Sequence, residues 1–183
     1  MALGDTNIIG DVTQTLMDLL TGLDVTLDSP ATLPTGGEAD FKKLNLFLYQ
    51  VLENPFAKNQ PWLSPSTGVQ EYPPLAINLH YLLTPYAKDM ISAYQVLSHA
   101  MGILYDNAIV SGPQLSGALS TVVDQLAVVL CPMTLEELTR IWNALQSPYR
   151  LSVCYEVRIA LIRSDIRRDV SRVSEKVDVF AQI

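Results

Sequence analysis

TLEELTRIWNALQSPYRLSVCYEVRIALI, residues 134–162, decides the fold class, because it holds a helix, a stop and a strand whose boundaries each have a local physical cause. The Thr134 side chain can accept from the backbone N–H of Glu137 while Glu137 reaches back to the Thr134 N–H, so T-x-x-E predicts a capping box. Leu135, Leu138, Trp142 and Leu145 then recur on one helical face. Pro148 lacks a backbone donor and disfavours helical backbone at the residue before it, which puts the stop near Gln146 or Ser147. Beyond it the period changes. Leu151, Val153, Tyr155, Val157, Ile159 and Leu161 alternate with Arg150, Ser152, Cys154, Glu156, Arg158 and Ala160, the two-residue repeat of a strand with one buried and one mixed face.

Working outward, Ile8, Ile9, Val12, Leu16, Leu19, Leu20 and Leu23 mark a first amphipathic helix, with Asp5 or Thr6 as its cap and Gly22 near its exit. Val25 to Leu27 can open a strand, and residues 29–40 form a loop rich in Pro and Gly. KLNLFLYQVLE, residues 43–53, is apolar on both faces and suits a central strand. Residues 54–74 contain five prolines and are expected to form a long loop. Its Phe56, Trp62, Leu63 and Tyr72 each gain about 1.5–3 kcal/mol from full burial, so the loop should pack on something. It either folds back on its own domain or reaches a neighbouring subunit.

PLAINLHYLLT, residues 74–84, reads as a second strong strand, and Thr84 followed by Pro85 reads as a helix start, with Pro where its missing N–H costs nothing. Met90, Ile91, Tyr94, Leu97, Met101, Leu104 and Tyr105 make an apolar stripe on that helix, read as core. A loop at Ser111 to Gly117 leads to a short strand at 126–130, and the tail from Asp169 is read as a strand from its β-branched content. Strands interleaved with helices imply an α+β fold: a single domain over 1–183 with a mixed or mostly antiparallel sheet and about three helices on one face.

Only 17% of residues are charged, below the ~25% of ordinary soluble domains. Some apolar surface is therefore expected in a subunit interface. The net charge of -7 is polarised: residues 1–130 carry 4 basic and 12 acidic side chains, residues 150–183 carry 7 and 5. An acidic bulk argues against nucleic acid as a partner. The basic end, residues 163–183, either meets an acidic protein surface or, through Arg163, Arg167, Arg168 and Arg172, solvates a strand edge. No apolar run approaches the ~20 residues needed to cross a bilayer, so membrane insertion is not expected. The N-terminus lacks a basic segment ahead of an apolar core, so no cleaved signal is expected and synthesis begins in the cytosol.

Motifs for catalysis are missing: no G-x-S-x-G elbow, no H-E-x-x-H, no Walker loop and no G-x-G-x-x-G. Cys131 and Cys154 lack C-x-x-C spacing and a neighbouring His, and are read as small buried hydrophobes. His80 and His99 are read as partly buried packing residues. No catalytic group, cofactor site or metal site is expected. A polar constellation assembled by folding, with residues 54–74 as a lid over a pocket containing His80, would instead mark a small-ligand-binding or hydrolytic domain.

Four segments together resemble the cap, or tail-terminator, family of extracellular contractile injection systems: LNLFLYQVLENP (44–55), PPLAINLHYLLTPYA (73–87), AKDMISAYQVLSHAMGILYDN (87–107) and LTRIWNALQSPYRLSVCYEVR (138–158). The resemblance rests on motif residues that include Asn54, Tyr86, Trp142, Tyr149, Arg150 and Tyr155. It implies an α/β structural subunit of a phage-tail-like particle. That subunit would form a homo-oligomeric, hexameric ring on the last tube and sheath layers, assembled in the bacterial cytoplasm and ending tube and sheath polymerisation. Phe56, Trp62, Tyr72, Arg167, Arg168 and Arg172 are the candidate partner-interface residues. A phage head-to-tail connector or adaptor is the neighbouring structural alternative.

Overall fold

The computed structural model describes residues 7–33, 42–66, 68–162 and 164–170. The proposed caps Asp5 and Thr6, the side chains of Arg163 and Arg172, and the tail from residue 171 lie outside the described residues. The chain runs α1 (Ile8–Leu19), β1 (Val25–Thr26), β2 (Lys42–Glu53), β3 (Leu63–Ser66), β4 (Val69–Glu71), β5 (Leu75–Ala87), α2 (Met90–Asp106), β6 (Ile109–Ser111), α3 (Leu119–Val122), β7 (Gln125–Cys131), α4 (Leu135–Ala144), β8 (Val153–Ile162) and β9 (Arg167–Asp169). Short 3-10 turns lie at Pro30–Thr32, Pro55–Ala57 and Gly112–Gln114.

A six-stranded sheet in the order β1-β2-β5-β8-β7-β6 forms the frame. Every pairing is antiparallel except β1 with β2, which is parallel from Val25 opposite Leu44. The expected α+β fold with a mostly antiparallel sheet is therefore present. β5 is central and apolar on both faces. Leu79, Tyr81 and Leu83 join the main core with Ile8, Val12 and Leu16 of α1, Val96, Ala100 and Leu104 of α2, and Leu119 of α3. Leu82, one residue out of phase and so on the opposite face, packs with Leu138 and Trp142 of α4. Three helices thus cover one face, and the helix of the opening stretch covers the other.

That helix forms as its sequence dictates. Glu137 N–H donates to Thr134 Oγ1 at 3.3 Å and Thr134 N–H to Glu137 Oε2 at 2.7 Å, completing the capping box. At its far end Gln146 N–H bonds Asn143 O and Ser147 N–H bonds Trp142 O, the paired closure of a Schellman motif. Gln146 takes the left-handed φ of 54° that this motif requires.

Three expectations need correction. Thr84 and Pro85 do not start a helix: β5 continues to Ala87, with Thr84 opposite Asn45 and Pro85 opposite Leu44 on β2. Pairing with β8 ends at Leu83, so β5 is an edge on that side by Pro85 and tolerates proline. Helix α2 begins instead after Asp89, whose Oδ1 accepts from Ser92 N–H at 2.9 Å. Its buried stripe is Ala93, Val96, Leu97, Ala100 and Leu104, whereas Met90, Ile91, Tyr94 and Tyr105 are exposed. Residues 54–74, expected as an irregular loop, contain the β3–β4 hairpin, which pairs with β9 in a second sheet ordered β3-β4-β9. The strand expected over the tail from Asp169 lies, beyond Val170, outside the described residues; β9 ends at Asp169.

Candidate functional site

Two surfaces and one buried polar face gather most of the residues singled out from the sequence. The first surface is a groove of about 410 Å³ between the end of β5, the first turns of α2 and the turn from α4 into β8. Pro85, Ala87, Met90, Tyr94, Tyr149 and Leu151 are among its walls. Leu151 is carried there by the turn that Pro148 enforces after the Schellman closure. Arg150 lies with its guanidinium 4.9 Å from the centroid of the Tyr86 ring, and the Tyr86 hydroxyl donates to the Pro30 carbonyl at 3.1 Å. Burial pushes the Tyr86 phenol above its ordinary pKa, and the Arg150 charge opposes that shift. Met90, Tyr94, Tyr149 and Leu151 of the groove remain partly in solvent.

The second surface is the small sheet. Trp62 and Tyr72 meet edge to face with ring centroids 5.4 Å apart, and Arg168 stacks over Trp62 at 4.1 Å. Arg168 also donates through Nε and a terminal nitrogen to Gln70 Oε1, at 2.8 and 2.6 Å. Arg167 pairs with Glu71 at 2.9 Å. Within residues 54–74, Trp62 and Tyr72 pack on each other and on Arg168 of β9, and Tyr72 stays 48% exposed. Phe56 is 96% exposed.

The buried polar face lies on the α4 side of the sheet, where register shifts in the ladders fall at Tyr49 on β2 and near Asn78 on β5. Such bulges re-aim side chains. Asn54 accepts from Phe56 N–H at 2.9 Å and donates to Asn78 at 3.0 Å; Asn78 donates to Glu156 at 2.7 Å; Arg158 donates to the other oxygen of Glu156 at 2.7 Å. The chain of bonds ties the turn that follows β2 to β5 and β8. Beside it, His80 Nε2 stands 3.9 Å from Glu156 Oε1 and its ring meets Tyr49 edge to face. The Tyr49 hydroxyl is 3.0 Å from Cys154 Sγ.

Cys154 and Cys131 are register partners across β8 and β7. A nitrogen of His80 and the two sulfurs all lie within 4.8 Å of one another. The sequence reading of two cysteines without a neighbouring His is thus corrected: pairing of β5, β8 and β7 brings the His to them. Cys154 is buried, as expected, and Cys131 only half-buried. Burial pushes the Cys154 thiol up to about 12 and holds the Tyr49 phenol above its ordinary value. His99, expected to be partly buried, is exposed on α2.

The motif residues divide by role. Tyr155 lies in the main core, and Trp142 donates from Nε1 to Ser152 Oγ at 3.1 Å beneath α4. Asn54 caps the 3-10 turn after β2. Tyr149 and Arg150 line the groove, and Tyr86 is buried beneath Arg150. The exposed apolar residues of α2 went unrecognised in the sequence because its apolar positions span more than one helical face; the small residues Ala93 and Ala100, which let α2 approach the sheet, were the signal for the buried side.

Solved structures share this fold. The chain superposes with a TM-score of 0.66 and 21% identity on the sheath/tube terminator, in the extended state, of the extracellular contractile injection system PVC, over 96% of this chain and 65% of that one. It superposes with a TM-score of 0.63 and 20% identity on the tube-terminating cap of the anti-feeding prophage, over 98% of this chain and 62% of that one. The chain therefore spans somewhat less than two thirds of the length of each. No curated protein sequence matches it. A sequence profile matches residues 7–176, nearly the whole chain, and by that match the chain belongs to the Pvc16 N-terminal domain family.

Proposed function

We propose that this protein is a structural cap subunit that ends tube and sheath polymerisation in a contractile injection system. The observation that carries the reading is the extent of the shared fold: 96% of the chain lies on a sheath/tube terminator. Its physical requirement is a surface complementary to the growing end and no surface that templates another layer. The main sheet suits this, since its edge strands β1 and β6 are only two and three residues long and offer little backbone for another strand to pair with.

In this reading six copies form a ring, with the groove around Met90, Tyr94, Tyr149 and Leu151 facing a neighbouring copy and the small sheet facing tube or sheath. Phe56 and the exposed charges of β9 belong to the second contact, and Arg172 is assigned to it from the sequence. Trp62 and Tyr72, packed edge to face, belong to it as well. Sixfold repetition of Arg167 and Arg168 would produce a ring of positive potential that steers and selects an acidic partner more than it adds affinity. The subunit performs no catalysis and assembles in the bacterial cytoplasm. Among the described residues no helix is long and apolar enough to cross a membrane.

Deleting the gene and measuring particle lengths by negative-stain microscopy tests the proposal. Lengths should become broad and irregular, and return to uniform on complementation. Uniform particles in the deletion strain would refute the cap role. Met90→Glu with Tyr94→Glu tests the groove: ring formation on tube ends should be lost while the isolated subunit stays folded.

A further inference from the structure

We propose that His80, Cys131 and Cys154 form a binding site for a zinc-class metal ion on the α4 side of the sheet. Three adjacent strands each supply one ligand: β5 the imidazole, β8 the buried thiol and β7 the half-buried thiol. Their ligand atoms all lie within 4.8 Å of one another. A tetrahedral zinc with Zn–S bonds of about 2.3 Å sets its ligand atoms roughly 3.8 Å apart, so side-chain rotation of about 1 Å closes the set. Two sulfurs and one imidazole form a borderline-to-soft donor set that selects zinc over magnesium or calcium.

The surroundings suit such an ion. Glu156 Oε1 stands 3.9 Å from His80 Nε2 and is itself held by Asn78, the kind of carboxylate support that orients a ligating imidazole. The Tyr49 hydroxyl, 3.0 Å from Cys154 Sγ, is placed to donate to the sulfur once it becomes a thiolate. Binding takes the form of two Cys–SH groups and one divalent ion giving two metal–sulfur bonds and two released protons. The His contributes a lone pair, and the fourth position falls to solvent. Because Cys131 is only half-buried, the ion has an entry path. The site would clip β5, β8 and β7 together, so its expected effect is structural.

The test uses the full chain, reduced and freed of metal by chelation, with cobalt(II) as a spectroscopic probe. The expected result is a thiolate-to-cobalt charge-transfer band with tetrahedral ligand-field absorption, saturating at one ion per chain and bleached by zinc. Zinc should also raise Tm in a concentration-dependent way. Cys131→Ser, at the half-exposed end of β7, should stay folded by circular dichroism and weaken binding more than about tenfold. His80→Gln, which retains a polar group of similar length, should do likewise. Absence of the charge-transfer band in the wild type overturns the proposal. So does binding that survives unchanged in both variants, which would place the ion elsewhere. Recovery of the native protein with Cys131 and Cys154 joined as a disulfide, by mass measurement without reductant, would also overturn it, because neither sulfur would then be available.

Discussion

Arg150 lies over the ring of Tyr86, 4.9 Å from guanidinium carbon to centroid, and so ties the turn after α4 to the end of β5. A partly exposed cation–π pair of this kind contributes about 0.5–1 kcal/mol. Arg150→Ala is expected to lower the unfolding free energy by that amount in urea titrations. Arg150→Lys should recover only part of it, since an ammonium does not stack as a planar guanidinium does. Because Arg150 lines the groove, co-sedimentation of Arg150→Ala with tube ends should fall by more than the stability loss alone explains.

Trp142 is almost fully buried between α4 and the sheet and donates to Ser152. Trp142→Phe retains most of the apolar contact but leaves the buried Ser152 hydroxyl with one partner fewer, a loss of roughly 1–3 kcal/mol. Trp142→Ala opens a cavity and should cost about 3–5 kcal/mol. The two chemical-denaturation midpoints, each read against the wild type, separate the hydrogen bond from the packing; a Trp142→Phe midpoint equal to that of the wild type would show that the indole N–H contributes nothing.

Gln146 occupies, at φ 54°, the position after α4 where glycine is ordinarily found. Its side chain is exposed, so little packing is lost on truncation. Gln146→Gly should therefore raise stability, by about 0.5–1 kcal/mol, as relief of left-handed strain exceeds the added entropy of the unfolded chain. A rise in Tm on differential scanning calorimetry checks it.

Acid should destabilise the fold through three helix-end carboxylates. Backbone and side-chain hydrogen bonds from Thr134 hold Glu137 below its ordinary 4.5, those from Ser92 hold Asp89 below 3.8, and that from Ser116 holds Asp18 below 3.8. A folded-state pKa lower than the unfolded one means that stability is present above the ordinary value and lost as pH falls through the folded value. Urea midpoints should thus be flat from pH 7 to 5 and decline below about 4. Asp89→Asn, which keeps an accepting oxygen for Ser92, should make that decline shallower.

The stretch from Thr134 to Ile162 was legible without a structure because its determinants act over three or four residues. The capping box, the face carrying Leu138 and Trp142, the proline stop and the period-two strand all depend on neighbours in sequence, and the chain itself specifies them. Pairing across strands has no such local signature. Thr84–Pro85 satisfies a helix start as well as a strand end, and only the β2 ladder opposite Asn45 and Leu44 chose the strand. Apolar residues spread over several faces of α2, and contact with the sheet selected Ala93, Val96 and Leu97 for burial while leaving Met90, Tyr94 and Tyr105 in water. The β3–β4 hairpin depended on β9, distant in sequence, for its third strand. Likewise the register of Cys131 with Cys154, and the approach of His80 from β5, followed from sheet order, because long-range pairing is decided by the burial of whole faces rather than by spacing along the chain.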